Sequence, residues 1–214
     1  MKDVLYREQK EYLESFNNET NKLLLEMEEF ADKNNVPILS RDSAKLMELL
    51  VQMYEPERVL ELGTAIAYTT IRIAGKLKKG SKIHTIEFSE DNEKLAKAYV
   101  KKSGLSKKIR LLFGDAKEVM PGLKKKYDFI FLDADKEDYL ALFEMAMKLL
   151  KKNGVIFVDN LLWHGYAASK EVPEKYKTST KYIRDFNKIF MNHPQLNTTL
   201  LPVGDGIGLG IKIK

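Results

Sequence analysis

The sequence predicts an α/β domain: a doubly wound, mostly parallel seven-stranded sheet, with N-terminal helices ahead of it and an antiparallel hairpin at its C-terminal edge. Three observations predict it. Apolar residues recur at helical spacing through the first fifty-odd positions, short β-branched runs then alternate with amphipathic stretches, and the chain ends in two strand-like runs joined by a glycine turn.

The helical spacing is carried by Leu23, Leu24, Met27, Phe30 and Ala31, and again by Leu46, Leu49, Leu50 and Met53, with Val36-Pro37 as the break between the two. After Pro56 the strand-like runs are Arg58 to Gly63, Lys82 to Glu87, Ile109 to Gly114, Tyr127 to Asp133 and Gly154 to Asn160. Strands alternating with helices at this spacing indicate right-handed crossovers and a parallel sheet. Tyr139, Phe143, Met147 and Leu150 form one helical stripe, with Asn153-Gly154 as its stop signal. Gln195 to Val203 and Ile207 to Lys214, joined by Gly204-Asp205-Gly206, read as a hairpin that supplies an antiparallel edge strand. Leu161 to about Thr178 is the longest irregular stretch and reads as a lid or substrate contact.

A length of 214 residues with 44% hydrophobic content suits one domain with a full core, divided here into an N-terminal helical cap over 1–55 and an α/β core over 56–214. The absence of cysteine fits a reducing compartment. No apolar leader follows Met1-Lys2-Asp3, and no run approaches the roughly 18 apolar residues of a membrane span, so a cytoplasmic protein without membrane association is expected. A net charge of +5 and a pI near 9.0 would suit a polyanionic partner. The plainer reading is stronger: lysines such as Lys94, Lys97, Lys101 and Lys102 are interleaved with Glu and Asp, the pattern of a solvated helix face.

The strand ends carry the chemistry. Phe129-Ile130-Phe131-Leu132 leads into Asp133, and Val155-Ile156-Phe157-Val158 leads into Asp159-Asn160, so neighbouring parallel strands would gather three hard oxygen ligands at one sheet edge. Either aspartate alone is an ordinary cap or turn residue; the set points to a divalent cation, since no cysteine or paired histidine spacing invites zinc. The turn after the first strand, Gly63-Thr64-Ala65-Ile66-Ala67-Tyr68, holds a single glycine, where a dinucleotide site needs G-x-G-x-x-G to approach a pyrophosphate. Glu87, closing the second strand, offers two oxygens to a vicinal diol. Asp115 and the backbone of Ala116 after the third strand suit an adenine edge. An adenosine with a small cationic tail fits this set better than a nicotinamide dinucleotide.

The combination of LELGTAIAYT, TIE, GDA, FLDADK, VDN and PVGDGIGLGI resembles the metal-dependent, catechol-type O-methyltransferases that use S-adenosylmethionine, from Val36-Pro37-Ile38 to the C-terminus. The resemblance implies a Rossmann-like class I methyltransferase fold and a homodimer. It implies cofactor contacts at Leu39, Glu61, Gly63, Thr69, Glu87, Asp115, Ala116 and Asp133, coordination of Mg²⁺ by Asp133, Asp159 and Asn160, and Lys136 as the catalytic base beside Asp133. Ala67 departs from the pattern, since many members carry glycine there. Within the family, the VPI segment and the LPVGDG ending are most similar to bacterial members that methylate 5-hydroxyuridine at the wobble position of tRNA, which implies the tRNA anticodon region as partner. A small catechol-like phenol is the alternative acceptor, because a 5-hydroxypyrimidine with its 4-carbonyl presents the same pair of adjacent oxygens. Trp163, His164 and Tyr166 are candidate acceptor contacts, and Lys170, Lys175, Lys177 and Lys181 read either as phosphate contacts or as ordinary surface.

Overall fold

Residues 6–214 are described by a computed structural model of the chain. The opening Met1-Lys2-Asp3, read above as lacking an apolar leader, lies outside the described residues. The chain begins with three helices, α1 (Arg7–Glu14), α2 (Lys22–Asn34) and α3 (Arg41–Tyr54). The core then runs β1 (Arg58–Leu62), α4 (Tyr68–Lys76), β2 (Lys82–Glu87), α5 (Glu90–Ser103), β3 (Ile109–Phe113), α6 (Ala116–Val119), β4 (Tyr127–Leu132), α7 (Tyr139–Leu149), β5 (Leu150–Val158), α8 (Glu174–Met191), β6 (Leu196–Leu201) and β7 (Ile207–Lys212). Side-chain oxygens close the open N–H groups at several helix starts: Asn21 accepts from Leu23 and Leu24, Ser40 from Ser43, Ser89 from Asn92 and Asp115 from Lys117. In α5, Glu90, Asp91 and Glu93 fill the first turn and Lys101 and Lys102 the last, each sign at the helix end that favours it. Lys94, Lys97, Lys101 and Lys102 are all exposed, as a solvated face requires.

The sheet order is β3-β2-β1-β4-β5-β7-β6. The first five strands are parallel, and β7 runs antiparallel to both β5 and β6. The hairpin is therefore present, but its antiparallel member β7 is inserted beside β5 and β6 takes the edge. Alternation along the strands separates two cores. Val59, Phe129, Phe131 and Phe157 face α2 to α5, where they meet Met27, Met47, Ile73 and Tyr99. Leu60, Ile130, Leu132 and Ile156 face the other way, onto Phe143 of α7 and Phe186 and Phe190 of α8. No helix among the described residues is long and apolar enough to cross a membrane.

Three expectations shift. In α3 the buried face is Ser43, Ala44, Met47, Glu48 and Val51, while Leu49 and Met53 are 48% and 82% exposed. Leu46 and Leu50 pack half-buried at the rim of that face and Glu48 reaches Arg72 Nε at 2.8 Å, so the inward face is rotated from the apolar stripe read in the sequence. Helix α7 stops at Leu149, and Leu150 already pairs with Tyr127. Asn153 (φ 62°) and Gly154 sit inside β5 as an irregularity: β4 advances from Tyr127 to Phe129 while β5 advances from Leu150 to Val155. A Cβ on Gly154 would lie 2.7 Å from Leu150 Cδ1, which explains the glycine there. Lys212 Nζ donates to the carbonyls of Met147 (2.6 Å) and Leu150 (3.0 Å), satisfying groups that the early helix end leaves open. The irregular stretch after Asn160 is also shorter than expected, because α8 already starts at Glu174.

Phe186 carries much of the second core, with its ring 5.3 Å from Tyr139, 5.5 Å from Phe143 and 5.8 Å from Phe190. Phe186→Ala should cost about 3–5 kcal/mol of stability, measured by urea unfolding. A loss below ~1 kcal/mol would show that α8 contributes little to the core.

Candidate active site

The carboxyl ends of β1, β2, β3, β4 and β5 lie along one edge, stitched where they leave the sheet: Gly63 N–H donates to Ile86, Asp133 N–H to Leu62 and Asp159 N–H to Leu132. Strand order reverses between β1 and β4, the place where such sheets bind ligands. A cavity of about 600 Å³ opens there, within the size range of small-molecule sites. Gly63, Glu87, Asp115, Ala116, Asp133, Lys136, Asp159, Asn160, Trp163 and His164, all singled out from sequence, line it together.

At one end the turn after β1 is left-handed at Gly63 (φ 98°), Ala65 (46°) and Ala67 (69°). A Cβ on Gly63 would fall 1.8 Å from the carbonyl oxygen of Asp133, so only glycine fits. Ala67 tolerates its Cβ as the left-handed residue before α4. Glu87 is buried; its Oε2 accepts from Ala65 N–H (2.8 Å) and its Oε1 from Ser89 N–H (2.9 Å), which fixes both the carboxylate and the turn. Oε1 also accepts a long bond from Asn92 Nδ2 (3.5 Å), while Oε2 keeps a lone pair for a further donor. Asp115 caps α6 through Lys117 N–H (2.7 Å) and stays exposed, while Ala116, the first residue of α6, has a backbone N–H with no acceptor within that helix. These features fit the ribose and adenine of an adenosine cofactor. Phe88, 68% exposed, and Asn92 also line this end and were not singled out, although Phe88 directly follows Glu87.

Four expected cofactor or acceptor contacts do not line the cavity. Leu39 is packed into the core, and the preceding Pro37 and Ile38 take the cavity wall. Thr69 is buried on α4 outside the lining. Tyr166 is buried and stacked on Tyr176 with 5.2 Å between ring centres, turned away from the cavity. Glu61 is also outside the lining, buried beneath the glycine turn, where the Thr70 hydroxyl donates to Oε2 and Oε1 has no hydrogen-bond partner.

The other end gathers charge. Asp159 is buried with Oδ1 unpartnered, and burial followed by the neighbouring Asp133 charge pushes its carboxyl up to about 8. Lys136 Nζ lies 2.6 Å from Asn160 Oδ1, 3.0 Å from the Ala134 carbonyl and 3.4 Å from Asp133 Oδ1. Two carboxylates and an amide carbonyl, one carboxylate oxygen unsatisfied, are the donor set a hard divalent cation takes. Among the described residues no third His, Cys, Asp or Glu joins them. Tyr139, read from sequence only as core, accepts from Lys136 Nζ (2.8 Å) and donates to the Asp159 carbonyl (3.1 Å). Its position three residues past Lys136, at the start of α7 just after the turn that holds that lysine, is the signal that could have found it. Trp163 places its ring 5.3 Å from Lys136 Nζ and donates through Nε1 to Ser179 (3.0 Å). Asp138 also lines the cavity and pairs with Lys117 at 2.9 Å.

A second cavity of about 670 Å³ lies among α2, α3 and α4, away from all of these residues. Its buried charges are already paired, Arg72 with Glu19 (2.7 Å) and with Glu48 (2.8 Å).

Burial also pushes the Glu61 carboxyl up to about 8. The folded pKa lies above the unfolded one, so folding favours the protonated form; that stability is complete below about pH 4.5 and is lost as pH rises towards about 8. Glu61→Gln should reduce the decline in melting temperature between pH 5 and 9 and melt above the wild type at the alkaline end. Equal slopes for the two proteins would show that Glu61 is not held protonated.

A family model described as O-methyltransferase matches residues 13–213. The caffeoyl-CoA O-methyltransferase of Medicago sativa is 32% identical over 192 residues, covering 84% of this chain and 76% of that protein. The crystal structure of a candidate caffeoyl-CoA O-methyltransferase from Staphylococcus aureus superposes with a TM-score of 0.89 at 30% identity, over 95% of this chain and 99% of that one. An O-methyltransferase from Bacillus cereus, solved with S-adenosylhomocysteine, gives 0.82 at 26% identity over 94% and 96%. With the sheet edge and its two-ended cavity, these matches place the chain in the O-methyltransferase family, as an S-adenosylmethionine-dependent enzyme.

Proposed function

We propose that the enzyme transfers the methyl group of S-adenosylmethionine to one oxygen of a small catechol-like phenol, with Mg²⁺ at Asp133, Asp159 and Asn160. The observation that carries this reading is the single cavity whose two ends hold the Glu87–Asp115–Ala116 set and the Asp133–Lys136–Asp159–Asn160 set. Glu87 would take the ribose hydroxyls and Asp115 with Ala116 the adenine edge of the cofactor, which would supply the methyl group. The bound cation would supply positive charge beside the acceptor oxygens. Lys136, once its ammonium has given up one proton to solvent, receives the hydroxyl proton at Nζ, and Tyr139 and the Ala134 carbonyl hold that nitrogen in place. The new oxygen–carbon bond forms as the carbon–sulfur bond breaks, giving a methyl ether and S-adenosylhomocysteine. Catalysis on this reading is mostly orientation and electrostatics, with no covalent enzyme intermediate. A phenolic acceptor is supported by relatives named caffeoyl-CoA O-methyltransferases.

A second reading, 5-hydroxyuridine in the tRNA anticodon, is favoured by a shallow groove whose lining includes Lys170, Lys177, Lys181, Arg184 and Lys188. Two of those lysines are ion-paired, Lys177 with Glu174 (2.6 Å) and Lys188 with Asp185 (3.6 Å), which weakens it.

The test offers catechol, a caffeoyl thioester and tRNA carrying 5-hydroxyuridine to the enzyme with S-adenosylmethionine, with Mg²⁺ or with chelator. Methylation of the phenols, lost with chelator, is expected. Asp159→Ala should lose at least about a hundredfold in turnover and still bind S-adenosylhomocysteine. Methylation of tRNA alone would overturn the phenolic reading, and full activity in chelator would overturn the metal.

A further inference from the structure

Read from the sequence, Gly204-Asp205-Gly206 only joins two strands. In the fold this turn is wedged between the start of α3 and the segment that follows Asn160. A Cβ on Gly204 would lie 2.2 Å from Ser43 Oγ, and one on Gly206 would lie 2.5 Å from Leu162 Cγ. Backbone bonds tie the turn to that segment: Leu161 N–H donates to Gly206 and Leu162 N–H to Asp205, each at 2.9 Å. The Asp205 side chain adds a third tie, since Oδ1 accepts from His164 N–H at 2.5 Å. Its Oδ2 is buried without a hydrogen bond and lies 3.6 Å from His164 Nδ1.

The residues so tied are the ones that need holding. Trp163 (φ 48°), His164 (φ 55°) and Gly165 (φ 76°) are three successive left-handed residues, a conformation that side-chain-bearing residues disfavour. Trp163 and His164 line the cavity beside Lys136 and Asn160. The Ser179 bond anchors the indole from one side, and a carboxylate accepting a backbone N–H is among the stronger ties available from the other.

We propose that Asp205 is a positioning residue: by accepting the His164 amide it latches Trp163 and His164 in place as the acceptor wall of the cavity and so sets acceptor binding, without acting on the cofactor end. The role in acceptor binding rests on the reading of that end as the acceptor half; the latch itself does not. Trp163 is the single tryptophan of the chain, so its emission reports on this wall alone.

In Asp205→Ala the emission should shift to longer wavelength and become more open to acrylamide quenching. Affinity for S-adenosylhomocysteine should stay within about twofold, the acceptor KM should rise by between about ten- and a hundredfold, and kcat should change less. Asp205→Asn keeps an oxygen at the Oδ1 position and should restore the wild-type emission and most of the acceptor affinity. If Asp205→Ala does not fold, Asp205→Ser, too short to reach the amide, is read in the same way. Wild-type emission in a folded Ala or Ser variant would overturn the latch. Equal losses of cofactor and acceptor affinity would also overturn it, reducing Asp205 to a general structural role. A shifted emission with no methylation of any phenol would uphold the latch and overturn the acceptor assignment instead.

Discussion

Asp133 meets both ends of the cavity, and the rest of the site is arranged around that double contact. Its N–H donates to Leu62 at the end of β1, and its carbonyl oxygen occupies the space that a side chain on residue 63 would need. Its carboxylate faces Lys136 and raises the pKa of Asp159. The backbone of one residue therefore shapes the turn that meets the cofactor, while its side chain belongs to the charge cluster across from it. This is why the turn accepts alanine in left-handed conformation at residues 65 and 67 but not at residue 63: only there does another strand's carbonyl press directly on the backbone.

The charge cluster follows from the same convergence. Parallel strands β4 and β5 end side by side, so Asp133 and Asp159 approach one another in a poorly solvated corner where like charges are costly. The ammonium of Lys136 stands among their neighbours, held by three uncharged oxygens, those of Asn160, Ala134 and Tyr139. A site built this way has a place for a second positive charge, since the buried Oδ1 of Asp159 has no partner. Methyl transfer from a sulfonium makes use of such a place, because the acceptor oxygen must gain negative charge as its proton leaves.

Much of this was legible in the sequence, for definite reasons. Gly63, Glu87, Gly114, Asp133 and Asn160 punctuate apolar runs, so the strand ends and the ligands they carry could be read within a residue or so. What could not be read depends on partners distant along the chain. The inward face of α3 carries Met47, Val51 and Glu48, which reaches Arg72, and leaves Leu46 and Leu50 only partly buried at its rim. Asn153-Gly154 has the composition of a helix stop and serves instead as an irregularity within β5. Asp205 is 41 residues from the amide it holds, and nothing local to the hairpin turn announces that bond. Leu39 and Thr69, assigned through family likeness, turn inward because their neighbours Pro37, Ile38 and Thr70 take the exposed wall and the contact to Glu61.

The most direct test of Asp133 as the joint between the two ends is calorimetric titration of Gly63→Ala with S-adenosylhomocysteine and, separately, with Mg²⁺. An added methyl group must displace the Asp133 carbonyl, so both affinities are predicted to fall together, each by about tenfold or more. Loss of S-adenosylhomocysteine binding with unchanged Mg²⁺ affinity would contradict the account, because the two ends would then be built independently.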